Sequence, residues 1–147
     1  GALKAYNGSN IVLNGNNLFV NNTADGGGAV DIANGSNAEV GGETVFAGKT
    51  IFAYNTAASY GGAAYFISSN IVWKGETSFV NNTAQSGGAI VFYNNEVNFI
   101  GNVSFEGNHV NTSGGAIVAF GDSSVFFGGR LVFAHNRASL SGGKSSK

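Results

Sequence analysis

Apolar and polar residues alternate along this chain in short runs, and the runs recur in the same order. One set occupies Leu3 to Tyr6, Val30 to Ala33, Ala64 to Ile67, Ile90 to Tyr93 and Ile117 to Phe120. A second places apolar side chains two apart, at Ile11/Leu13, Ala38/Val40, Ile71/Trp73, Val97/Phe99 and Val125/Phe127. A third runs into Phe-x-x-Asn, as in Val103-Ser-Phe105 and Leu131-Val-Phe133. Alternation at period two, bounded by Gly, Asn and Ser, predicts short strands. No stretch keeps a 3.6-residue apolar period long enough for a helix.

The third set is a repeat. Phe-x-x-Asn occurs at Phe19–Asn22, Phe52–Asn55, Phe79–Asn82, Phe105–Asn108 and Phe133–Asn136. Each copy is followed by a Gly pair whose second member is Gly28, Gly62, Gly88, Gly115 or Gly143. The first four of these glycines precede Ala29, Ala63, Ala89 and Ala116. A fixed period means one supersecondary unit stacked on copies of itself. Counting from each Gly before Ala, the single domain 1–147 divides into coils 1–27, 28–61, 62–87, 88–114 and 115–142, with 143–147 opening a truncated sixth.

Three short strands in each unit of about 27 residues predict an all-β, right-handed parallel β-helix (a β-solenoid) of five coils. Coils stack at the ordinary strand spacing of about 4.8 Å, and parallel crossovers are right-handed in about 98% of cases. Like residues then stack on like. Phe19, Phe52, Phe79, Phe105 and Phe133 are expected in one internal aromatic column. Asn22, Asn55, Asn82, Asn108 and Asn136 follow at the next turn, where a carboxamide both donates and accepts along the stack. Paired glycines supply a sharp turn with positive φ. The longer second unit carries about seven extra residues, expected as a loop near Phe46 to Thr50 and as a place to bind something.

Composition narrows the function. Charged residues are 10% of the chain, against roughly 25% in ordinary soluble domains. The net charge is −1, without a Lys/Arg cluster, which argues against nucleic acid and anionic membrane as partners. Cysteine is absent, which removes disulfides and thiolate metal sites. No apolar run approaches a membrane span and no signal peptide is present, so this segment is not expected to insert into a membrane. The chain also lacks Met and reads as a processed product or an excerpt of a longer one.

Gly-Gly-Ala-(Ile/Leu/Val) paired with Phe-x-x-Asn resembles the double motif of the chlamydial polymorphic membrane proteins. The stretches from Phe79 to Ile90 and from Phe105 to Ile117 carry that pattern, and the resemblance extends over the whole chain. It implies the passenger domain of an autotransporter: an extracellular or cell-surface β-helix used in adhesion to host cells, without enzymatic activity. No membrane β-barrel segment accompanies it here, and the last boundary reads Gly142-Gly143-Lys144.

The residues themselves leave other readings. Lyases and hydrolases of polysaccharides also use β-helices, with two or three carboxylates converging on one outer face. Glu43 and Glu76 align just before the third strand of units two and three, and Arg130 and Arg137 lie three to four coils away. No catalytic cluster assembles from them, and solvated surface charge is the better reading. His109 and His135 occupy different turn positions and no calcium repeat is present, so neither a metal nor a cofactor is expected. Gly142 to Ser145 mimics the tail of a phosphate loop but lacks its earlier glycine. Asn-x-Ser/Thr occurs at Asn7, Asn21, Asn34, Asn81, Asn102 and Asn111. Asn21 and Asn81 are the expected glycan acceptors if the source is eukaryotic, and are without meaning in a bacterium. Thr23, Thr56 and Thr83 start a Thr column of the kind that orders water on ice-binding solenoids, but it breaks at His109 and Arg137.

Neither end carries a capping segment, so bare strand edges are expected there. They suit either flanking coils of a longer chain or end-to-end stacking of copies into a filament. The expected function is therefore a non-catalytic structural or adhesive module at the cell surface, meeting itself or a host or matrix receptor. A filament subunit and a carbohydrate-active β-helix are the alternatives.

Overall fold

The computed structural model describes residues 1–33 and 43–139. They form five stacked turns with four parallel sheets along the stack. Sheet one holds Leu3–Tyr6, Val30–Ala33, Ala64–Ile67, Ile90–Tyr93 and Ile117–Phe120. Sheet two holds Ile11–Leu13, Glu43–Phe46, Asn70–Trp73, Glu96–Phe99 and Ser124–Phe127. Sheet three holds Asn17–Val20, Thr50–Ala53, Thr77–Val80, Val103–Glu106 and Leu131–Ala134. Sheet four holds Thr23–Gly26, Thr56–Tyr60, Thr83–Ala84, His109–Val110 and Arg137–Ala138.

The fourth sheet corrects the expectation of three strands per coil. Its strands directly follow the ladder Asn and shrink to two residues in the last three coils. Two residues cannot display an alternation, so the sequence pattern hid them. Their backbone is nonetheless held on the preceding coil: Thr83 N–H donates to Asn55 O at 2.9 Å and His109 N–H to Asn82 O at 2.9 Å.

The second coil needs another correction. Ile71 pairs with Thr44 and Trp73 with Phe46, so the sheet-two strand of that coil is Glu43–Phe46. The alternative, Ala38/Val40, lies outside the described residues. Phe46 to Thr50 holds only the ordinary turn between two strands, with no bulging loop: Ala47 N–H donates to Leu13 O at 2.9 Å and Lys74 N–H to Phe46 O at 2.9 Å. The extra length falls between Ala33 and Glu43 instead. Thr44 misled the pattern because a hydroxyl stands at an inward position, where it is 1% exposed.

Inside the coil, flat rings repeat at the strand spacing. Phe19, Phe52, Phe79, Phe105 and Phe133 stack with centroids 4.8, 4.9, 4.8 and 5.0 Å apart. A second column, Phe46, Trp73, Phe99 and Phe127, stacks at 4.9, 4.4 and 5.1 Å. The columns meet edge to face, as at Trp73 and Phe79 (6.4 Å, 75°). Phe52, Phe79 and Phe105 are fully buried. Burial of each contributes roughly 1.5–3 kcal/mol, and ring pairing about 0.5–1.5 kcal/mol more. Parallel strands register the rings, and the rings exclude water from the axis.

Glycines set how closely coils approach. The first Gly of each pair, such as Gly61 at φ 63, turns the chain in the left-handed region. The second is needed for a different reason: a Cβ on Gly62 would collide with the carbonyl oxygen of Gly88 in the next coil. A second column (Gly48, Gly75, Gly101 and Gly129) meets the preceding coil's carbonyl in the same way. Each member stands four residues before a ladder Phe. That Gly-x-x-x-Phe-x-x-Asn spacing was readable in the sequence and had escaped notice beside the Gly pairs.

Candidate functional site

The repeated Asn residues form a hydrogen-bonded ladder at the corner between sheets three and four. Asn22 donates both its backbone N–H and its Nδ2–H to Oδ1 of Asn55, each at 3.0 Å. Asn55 does the same to Asn82, Asn82 to Asn108, and Asn108 to Asn136. The second Nδ2–H donates back to a ladder Phe carbonyl: Asn55 to Phe19 O at 2.9 Å and Asn82 to Phe52 O at 3.0 Å. Asn55, Asn82 and Asn108 are fully buried, so this site offers nothing to a ligand. Its chemistry is spent on holding one coil to the next.

The residue before each ladder Asn lies in the left-handed region: Asn21 (φ 57), Tyr54 (57), Asn81 (52), Gly107 (65) and His135 (55). That geometry points the side chain outward. Asn21 and Asn81, the two favoured sequon positions, are exposed on this corner. His135 stands in the same column, whereas His109 lies in sheet four with Nε2 3.0 Å from Ser139 Oγ. The two imidazoles therefore occupy different positions of the coil. Thr23, Thr56, Thr83, His109 and Arg137 share one register column of sheet four.

The charged residues are arranged differently from the sequence expectation. Glu43 opens a sheet-two strand opposite Asn70, while Glu76 precedes a sheet-three strand. They do not stack. Glu76 instead faces Lys49 across one coil, with Nζ and Oε2 3.4 Å apart. Arg130 is also nearer than expected, two coils from Glu76 in the same column with Asn102 between them. Glu76, Asn102, Ser104 and Arg130 line one shallow cleft of about 170 Å³, in which Glu76 is the single carboxylate. Two carboxylates flanking a bond are what glycoside hydrolysis requires.

A larger cleft lies elsewhere, on the outside of sheets one and four. Tyr60, Tyr65, Tyr93, Phe120 and Gly121 enclose about 440 Å³. Tyr60 and Tyr65 flank the outside of the Gly61-Gly62 corner with ring centroids 5.6 Å apart. Tyr93 pairs in register with Phe120 on the next strand. Partial burial pushes the Tyr65 phenol above its ordinary pKa, and Tyr60, Asp31 and Tyr93 add to the effect. The sequence reading passed over these rings because they fall outside the repeated motifs. Tyr65, Tyr93 and Phe120 stand at outward positions of the sheet-one alternation, and Tyr60 ends a strand of sheet four.

Residues 76–93 and 96–119 match the family model described as the Chlamydia polymorphic membrane protein (Chlamydia_PMP) repeat. They run from the middle of the third coil into the start of the fifth and include Phe79, Asn82, Phe105 and Asn108, all fully buried. Over those stretches the chain is similar to that repeat, and there it is built as a parallel β-solenoid. No curated protein and no solved structure matches it.

Proposed function

We propose that this chain is a non-catalytic adhesive module of a cell-surface protein, a stiff right-handed solenoid that displays its outer face to a host or matrix receptor. The repeat match supports the surface setting, and the handedness follows from the strong bias of parallel crossovers. The observation that carries adhesion is the character of the outer face. Outward positions of sheet two include Val12 and Phe126, 59% and 60% exposed, and sheet three adds Leu18 at 69%. Val12 and Leu18 lie in the first coil and Phe126 in the fifth, so the outer face offers exposed apolar groups at both ends of the stack for a partner to cover. Beads coated with the folded chain should adhere to an epithelial monolayer, and beads carrying heat-unfolded chain should not. Equal adhesion of both coatings would sink the proposal.

End-to-end assembly has its own observation. Phe133 is 53% exposed at one end of its column while Phe105, one coil inward, is fully buried. Such a ring suits a further coil or a second copy of the chain. Electron microscopy across a concentration series separates these: solenoid-wide filaments support the second copy, and discrete particles at every concentration refute it.

A further inference from the structure

We propose that the cleft of Tyr60, Tyr65, Tyr93 and Phe120 binds a neutral oligosaccharide, its pyranose faces stacked on the rings. Size, polarity and charge each point this way. About 440 Å³ lies within the range of small-molecule sites. The walls are aromatic faces edged by three phenol hydroxyls, which among the described residues form no hydrogen bond within the protein. An apolar face with a hydroxyl rim is the complement of a sugar ring, whose C–H face is apolar and whose edge is hydroxylated. Tyrosine supplies such amphipathic contact area at low entropic cost.

Charge complementarity favours a neutral ligand. Two neighbouring charges, Asp31 opposite Tyr65 in register and Lys4 beyond it, pair with each other at 3.3 Å. Among the described residues, the cleft lining holds no cation for a uronate, a sialic acid or a phosphate. Neighbouring side chains keep the cleft open: the column of Tyr60 has Gly26 on one side and Ser86 on the other. Tyr65 packs over the bare backbone of Gly26, where a Cβ would stand 3.3 Å from its Cδ1.

A peptide fits less well. Sheet one is hydrogen-bonded on both sides of its inner strands, so its face offers no backbone for strand addition. A polyproline ligand inserts ridges between well-separated rings, with three residues per turn at about 3.1 Å each. Tyr60 and Tyr65, at 5.6 Å and tilted by 37°, leave no slot of that width.

This inference rests on the adhesive reading only for placing the ligand on a cell surface, and free sugar tests it separately. Cellohexaose, chitohexaose and decaproline would be titrated into the whole chain by calorimetry, with circular dichroism verifying the fold of each variant. One of the two sugars should bind saturably. Tyr93→Ala and Tyr60→Ala should each weaken it roughly ten-fold, as expected for central aromatic anchors. Tyr60→Phe and Tyr93→Phe, which keep the ring, should weaken it about three-fold through the lost hydroxyl. Tyr54→Ala, outside the cleft, should change nothing. No saturation by either sugar at millimolar concentration, binding indifferent to the cleft variants, or capture of decaproline alone would each overturn the proposal. Bead adhesion that survives Tyr93→Ala would leave the adhesive reading standing on another face.

Discussion

Asn55 presents its backbone N–H and its Nδ2–H to one oxygen, Oδ1 of Asn82, at 3.0 Å each. The arrangement explains why Asn and no other residue occupies the column. Serine lacks the second donor, and aspartate would set a charge against the carbonyl of Phe52 that Asn82 now serves. Because each rung faces the next in one direction, the cost of losing a rung depends on its place.

Asn82→Ala removes the acceptor for two buried donors of Asn55. Each unsatisfied buried group costs about 1–3 kcal/mol, so the variant should lose about 3–5 kcal/mol. Asn22→Ala, at the first coil, leaves no rung without its acceptor among the described residues and should lose about 1 kcal/mol. Urea unfolding of the two variants measures the gap. Equal losses would mean that the ladder is not directional.

The second Gly of each pair answers to space and not to φ. Gly62→Ala would drive a Cβ into the Gly88 carbonyl, part of a backbone that cannot yield without separating two coils. Gly15→Ala meets nothing within 4 Å and suffers only from its φ of 74°. The strained φ costs about 1–2 kcal/mol, whereas overpacking typically costs about 1–3 kcal/mol and more in the tightest cases, and at Gly62 three backbone atoms would lie within 2.7 Å of the Cβ. Thermal melts should therefore rank Gly62→Ala well below Gly15→Ala, and the reverse order would discredit the close-approach account.

What the sequence revealed and what it hid follow from one cause. Stacked identical positions announce themselves by repetition, which is why Phe79 and Asn82 were legible with their partners above and below. Departures from repetition were not. Thr44 stood polar at an inward position and shifted the assignment of a whole strand to Ala38/Val40. His109–Val110 was too short to alternate. Tyr60, Tyr65 and Tyr93 differ from their column neighbours Gly26, Asp31 and Phe120, so no repeat exposes them. The proposed sugar cleft is made of such unrepeated outward residues, and repetition exposes the scaffold first.

Tyr54 is a bulky residue in the left-handed region, at φ 57 with its ring 57% exposed. The neighbouring coils place Asn21 and Asn81 at the same position, and Asn adopts this conformation more readily. Tyr54→Asn should therefore stabilise the chain by about 0.5–1 kcal/mol. A lower melting temperature would show that the exposed ring contributes contact energy greater than the strain.

Trp73 is the single tryptophan, fully buried between Phe46 and Phe99 at 4.9 and 4.4 Å. Among the described residues its Nε1–H has no hydrogen-bond partner. An orphaned buried donor costs about 1–3 kcal/mol, which the stacked indole must offset through its area. Trp73→Phe removes the donor and keeps a ring in a column of phenylalanines, at the expense of some packed volume. The two changes oppose each other, so stability should move by no more than about 1 kcal/mol. Phe79→Ala, which leaves a hole in the neighbouring column, should cost about 3–5 kcal/mol. Fluorescence supplies the control: the native chain should emit in the blue-shifted range of a dry indole, and Phe79→Ala should shift emission to the red. If Trp73→Phe proved as damaging as Phe79→Ala, the indole N–H would have to be engaged with a ring face, Phe66 at 5.7 Å and 88° being the nearest perpendicular one. The column would then be specified by that contact and not by ring area alone.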